Sequence, residues 1–276
     1  MITLRRARER PADDGASDRP LKRFPTTSTT TRFGSLERVD ESRMAPGSRI
    51  IRRAMDGADI ITYVREGSLA FDDHLGHRGT LNAGEFRRLT VRPDTRLVEL
   101  NLSLCEPAQL FLIWLRPGPD STDLGCEQQR FTVAQRRGLR CLVASTDGES
   151  GSLRLQQDAR IYSALLERGQ HMVHELVRSH RVWIHVVHGH VSICGLILTS
   201  GDAAAVTHQR AASVTALDDS ELLLVDVGPP SPKAMLAPDD GASAIRRGAL
   251  DDLSHEMSFN HEKNLAHRTS PTPTHR

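Results

Sequence analysis

Between about Phe33 and Pro230 the chain is written in short apolar runs: IITYVREGSLAF, QLFLIWLRP, SLRLQQDARIYSALL, RVWIHVVHGHVSI, ASVTAL and ELLLVDV. They are rich in β-branched and aliphatic residues and are separated by Gly, Asp, Asn and Pro turns, which predicts strands. The amphipathic stretches of roughly ten or more residues that a βαβ protein needs are almost absent. Regularly spaced strands without helices predict an all-β sandwich or barrel. Residues 11–32, rich in Pro, Ser and Thr, read as loop or a loosely attached arm. Past Pro232 the composition shifts again, predicting a disordered polar tail with one short helix around Ala244 to Met257.

An internal repeat sharpens this picture. Ile60–Phe71 aligns without a gap on Val182–Ile193, with Gly67 matching Gly189 at the turn. Downstream, NAGE (Asn82–Glu85) matches TSGD (Thr199–Asp202) after a hairpin five residues shorter. Each copy is a strand, a Gly turn, a strand, then a Gly-acid turn into the next strand, so one chain carries two similar barrels. The expected organisation is an N-terminal domain over 1–135, a C-terminal domain over 136–230 and a tail over 231–276.

Charge is nearly balanced, 36 basic against 35 acidic side chains in 276 residues, so nothing points to a nucleic-acid groove or a polybasic membrane patch. The start, MITLRRARER, lacks the apolar segment of a signal peptide, and no apolar run approaches membrane-spanning length. Cys105, Cys126, Cys141 and Cys194 form no C-x-x-C pair. Free thiols, mostly in the core, in a reducing cytoplasm are the plain expectation.

In order along the chain, MITLRRARER, DIITYVREG, NAGEF, LIWLRP, EQQRF, GESGSL and RVWIHVVHGHVSICG resemble the pirin family, and most of all its bacterial bicupins, some of which act as quercetin 2,3-dioxygenases. The resemblance implies two cupin barrels packed face to face with one metal site, in the N-terminal barrel. It implies a metal, usually iron, held by an H-x-H and, on a later strand, an H-x-E. Carried over residue by residue, the H-x-H falls on Arg53 and Met55, ahead of Asp59, and the H-x-E falls on Leu97 and Glu99. Only Glu99 matches. The family's W-H-x-F patch is also missing, with LKRF in its neighbourhood.

Alternation along a strand puts 53 with 55 and 97 with 99 on shared faces, so four groups can converge inside a barrel. Arg53 cannot ligate, Leu97 has no donor atom, and the Met55 thioether suits an oxygenase iron poorly. No metal cofactor is therefore expected. A buried Glu99 carboxylate needs a counter-charge, and an Arg53–Glu99 ion pair at the former metal position would supply it, with Arg96 and Arg52 nearer the rim.

The other histidines read as structural. His74 and His77 lie in a solvated hairpin, His188 and His190 flank Gly189, and His185 is expected to point into the second barrel. The repeat maps the clamp positions onto Glu175 and Val177, so the second copy has no H-x-H either, and a replacement site built from His174, His185 and His208 is geometrically possible. Three functions compete. The first is a metal-independent protein binding a small aromatic or acidic ligand, with Arg53, Met55, Arg96, Leu97 and Glu99 lining its cavity, or a non-redox enzyme with Glu99 as general acid or base. The second is the family dioxygenase, which requires iron or another divalent metal. The third is a regulatory protein acting through a protein partner.

Overall fold

A computed structural model of the chain describes residues 1–9, 22–25, 33–54, 56–116 and 125–229; the expected tail and its helix lie outside them, as does Met55. The fold is all-β. The chain opens on β1 (Ile2–Arg5). Ten strands follow: β2 (Lys22–Pro25), β3 (Leu36–Met44), β4 (Arg49–Arg53), β5 (Ala58–Glu66), β6 (Ser68–Asp72), β7 (Arg78–Asn82), β8 (Glu85–Val91), β9 (Arg96–Asn101), β10 (Ala108–Leu115) and β11 (Cys126–Arg130). After the single turn of α1 (Val133–Arg136) come β12 (Cys141–Ser145), β13 (Leu153–Arg154), β14 (Ala159–Leu166), β15 (His171–Glu175), β16 (Arg181–His188), β17 (His190–Ile193), β18 (Leu196–Thr199), β19 (Ala203–Thr207), β20 (Ala211–Ala216) and β21 (Ser220–Val227).

Each barrel is a large sheet closed over a small one. In the first, β11-β8-β5-β10-β3-β2 faces β4-β9-β6-β7; in the second, β1-β19-β16-β21-β14-β12-β13 faces β15-β20-β17-β18. Two sequence expectations change here. The arm over 11–32 contributes β2, paired in register with β3. The N-terminal strand β1 pairs with β19, so residues 2–5 extend the sheet of the second barrel.

Three cores follow from strand alternation. In β5 and β8, Ile60, Val64, Leu89 and Val91 fill the first barrel, while Ile61, Tyr63 and Phe86 face the seam between the barrels. In β16, Val182, Ile184 and Val186 fill the second barrel, while Trp183 and Val187 face the seam. Both faces of these central strands are buried, so their sequences read as continuous apolar runs. The repeat is visible in the backbone: Gly67 and Gly189 turn β5 into β6 and β16 into β17 with φ of +79° and +86°. The two Gly-acid turns also match, since Glu85 accepts from the Asn82 amide and Asp202 from the Thr199 amide.

Cys105 is exposed; Cys126, Cys141 and Cys194 are half-buried and pack against the three cores. Among the described residues no helix is long and apolar enough to cross a membrane.

Candidate functional site

The first-barrel site is built where β4 and β9 pair, with Arg52 opposite Leu97, Arg53 opposite Arg96 and Ile50 opposite Glu99. Burial along β9 alternates as expected: Leu97 and Glu99 point inward, Arg96 outward. On β4 the inward position is Arg52. Arg52 Nε donates to Glu99 Oε2 at 2.7 Å, both side chains being almost wholly buried. Arg53 instead lies two-thirds exposed, 3.2 Å from the equally exposed Asp94. The barrel thus has an arginine–glutamate pair, but Arg52 makes it; Arg53 and Arg96, expected inside and at the rim, are both surface residues.

A second guanidinium lies inside. Arg87 on β8 shares a face with Leu89 and Val91, so it points into the first barrel, its Cζ 3.9 Å above the Phe71 ring. Among the described residues its guanidinium makes one hydrogen bond, from Nη2 to Thr62 Oγ1 at 3.4 Å. Burial pushes the Arg87 guanidinium down, and Glu99 is the foremost charge pushing it back up, ahead of Cys126 and Asp73. Arg87 nevertheless does not reach ion-pair distance of Glu99. Asp73 is occupied: it lies 2.7 Å from His77 Nδ1 and accepts from the Leu75 and His77 amides. Among the described residues Arg52 Nη2, Arg87 Nε, Arg87 Nη1 and Glu99 Oε1 are buried without a hydrogen-bond partner.

The histidines are dispersed. His185 packs edge-on against Phe111 with its ring on the seam, not in the second barrel, because it shares a face with Trp183 and Val187. His174 points inward from β15 with Met172; its Nε2 lies 2.7 Å from Asp226, whose other oxygen is 2.9 Å from His180 Nδ1. Glu175 and Val177 are exposed, as is His208. His190 pairs with Asp218 at 2.5 Å in its turn. No three His, Cys, Asp or Glu side chains among the described residues are grouped so as to hold a metal ion.

The seam carries its own polar network. Glu221 accepts from Tyr63 Oη, from Arg136 at 3.0 Å and from Arg65 at 3.0 Å. Burial and then the Glu221 charge push the Tyr63 phenol far above its usual range. Asp59, fully buried, accepts from Thr90 and from Gln157 at 2.6 Å, tying the first barrel to the second. Two clefts of about 190 and 500 Å³ open along this seam and share Arg65 and His188; they lie away from Glu99.

Comparison with known proteins fits this architecture. The pirin family model matches residues 16–115, and the model described as the quercetinase C-terminal cupin domain matches 142–227. Quercetin 2,3-dioxygenase of Escherichia coli strain K12 is 32% identical over 197 residues, 71% of this chain and 84% of that protein. The chain belongs to the pirin family. Another pirin relative, the pirin-like protein of Caulobacter vibrioides, is 28% identical over 70% of this chain and 84% of its own length. The crystal structure of YhhW from Escherichia coli superposes with a TM-score of 0.71 at 30% identity, covering 83% of this chain and 98% of that one. The same bacterial pirin in complex with nickel(II) gives 0.70 at 30% identity, over 83% of this chain and all of that one. The positions that the resemblance assigns to a metal fall on Leu97 and Glu99, which point inward, on Arg53, which points outward, and on Met55.

Arg52 and Arg87 were the residues that sequence reasoning misplaced or missed. Each is one of an adjacent arginine pair, RR at 52–53 and at 87–88, which looks like a charged surface. Alternation sends the two members of such a pair to opposite faces, so one must point inward when the strand lies over a core.

Proposed function

We propose that this pirin works without a metal, and that the centre of its first barrel is an ion pair that helps bind a small acidic or aromatic molecule. The observation that carries this reading is the 2.7 Å Arg52–Glu99 contact, with Leu97 beside Glu99 on β9. A pirin metal of the kind the family implies asks for three imidazoles and a carboxylate. Leu97 has no ligating atom, the Arg52 guanidinium has no lone pair to give a metal, and Glu99 already gives one oxygen to Arg52. The side chains do not fit such a metal, and no catalytic step is routed through one. Glu99 Oε1, without a partner, is the group that would act as acid or base in non-redox chemistry at this place.

The second reading is a divalent-metal, quercetin 2,3-dioxygenase-like enzyme. It draws on the name of the 32% identical relative and on the nickel(II) complex of YhhW. Metal analysis of protein purified without a tag, with quercetin turnover under air, separates the two. The metal-free reading expects little bound metal and no turnover. Near-stoichiometric iron, nickel or manganese together with turnover would establish the second.

A further inference from the structure

We infer that the first barrel is a receptor for a small hydroxylated carboxylate, bound between Arg87 and the Arg52–Glu99 pair; this rests on the reading of that barrel as metal-free. Three observations lead there. Arg87 is completely buried, stays charged as guanidiniums in proteins do, and has only one long hydrogen bond, to Thr62. Such a charge is costly unless it is met. Glu99 is close enough to be the foremost influence favouring the charged form of Arg87, yet no Arg87 nitrogen reaches it. Phe71, which packs under Arg87, pairs in register with Glu99, so two opposite buried charges are neighbours with no hydrogen bond between them among the described residues.

The unpartnered atoms of these side chains specify what would fit between them. Among the described residues Arg87 Nε and Nη1 are donors without a partner, on two different edges of the guanidinium, and each can meet an oxygen of an anion. Arg52 Nη2 adds a third donor, while Glu99 Oε1 is an acceptor. The complementary molecule accepts from the arginines and donates to Glu99, as a carboxylate bearing a hydroxyl does. Charge agrees: two guanidiniums face one carboxylate, so a monoanion brings the group to neutrality. Asp73, the other carboxylate that influences Arg87, is already held by His77 and by two backbone amides. The Phe71 ring under Arg87 holds the guanidinium plane from the other side.

The test is calorimetric titration of the full-length protein, its metal content measured on the same sample, with glycolate, acetate and glycolamide as probes. Glycolate carries charge and hydroxyl, acetate lacks the hydroxyl, and glycolamide lacks the charge. The expected result is saturable glycolate binding, about tenfold or more tighter than acetate, with glycolamide not bound. Arg87→Met, which keeps an apolar stem over Phe71, should weaken glycolate by about tenfold or more. Arg168→Gln, on the exposed surface of the second barrel, should leave it unchanged. No glycolate binding by cooperatively melting wild-type protein would overturn the inference, as would equal binding by Arg87→Met. If Arg87→Met does not fold, the three-probe comparison on the wild type decides. Stoichiometric metal in protein that still binds glycolate through Arg87 would overturn the metal-free reading alone. Metal-free protein that ignores glycolate would overturn this inference alone.

Discussion

At three matched inward positions the first barrel carries Arg52, Glu99 and Arg87, where the second carries His174, Val214 and Ala204. The match follows from strand register: Ile50 faces Glu99 as Met172 faces Val214, and Thr62 faces Arg87 as Ile184 faces Ala204. The second barrel has one polar group at these positions, His174, and Asp226 meets it at 2.7 Å. Valine and alanine close the rest of that interior. The first barrel keeps two guanidiniums and one carboxylate, with four atoms unpartnered. One backbone plan thus supports a self-satisfied apolar core and a charged interior that calls for a ligand. Within a repeat, function follows the side chains that fill the barrel, and the shared strand order says little about it.

The largest expected effect comes from making the first barrel copy the second at one position. Glu99→Val leaves Arg52 and Arg87 buried without a carboxylate and should cost about 3–5 kcal/mol of stability in urea unfolding. Replacing Arg52, Arg87 and Glu99 together with apolar residues of similar volume should recover most of that loss, because the penalty lies in uncompensated charge. A loss below about 1 kcal/mol from Glu99→Val would mean that the guanidiniums do not depend on Glu99.

The two repeat glycines give the next contrast. A Cβ on Gly189 would lie 2.5 Å from the Asp219 carbonyl oxygen, whereas on Gly67 it would lie 3.0 Å from Ala108. Both have left-handed φ, so either alanine costs about 1–2 kcal/mol of backbone strain. Gly189→Ala should cost about 1–3 kcal/mol more through the clash, read as a lower melting temperature than that of Gly67→Ala. Equal melting would show that the turns relax alike.

The smallest effect separates the two Gly-acid turns. Asp202 also holds the N-terminal segment, accepting from the Ala7 amide at 2.7 Å and from Arg6 at 2.9 Å. Burial pushes its carboxyl up, but the Ala7 and Thr199 amides and Arg6 outweigh this and hold it below the ordinary 3.8. A lowered folded value means that this stabilisation is complete above 3.8 and is lost as pH falls through the lower folded value. Asp202→Asn should cost about 1 kcal/mol at neutral pH and nothing once the wild-type carboxyl is protonated. Glu85→Gln, at the matching turn of the first barrel, should cost less. A penalty for Asp202→Asn that persists in acid would show that the loss is steric.

Much of this was legible in the sequence. The Gly turns, the paired Gly-acid motifs and the absence of helical patterns gave two barrels, and period-two alternation placed Leu97 and Glu99 inside. Arg53 was misplaced because parity was carried across a break. β4 ends at Arg53, and Ala54 bonds to the 92–95 turn before β5 starts, so the alternation that puts 53 with 55 on one face stops at Arg53. His185 was misplaced because both faces of β16 are apolar, so hydropathy cannot tell barrel from seam. The strand at 22–25 was hidden by its setting among Thr, Ser and Pro; pairing with β3 supplied what local composition did not.

The central proposal is that an ion pair occupies the position that the pirin resemblance assigns to a metal. Its most direct test is the metal retained after tag-free protein is exposed to excess nickel(II) or iron(II) and then dialysed, measured by elemental analysis. The account predicts retention far below one ion per chain, unchanged in Glu99→Gln. Close to one ion per chain, lost in Glu99→Gln, would contradict it.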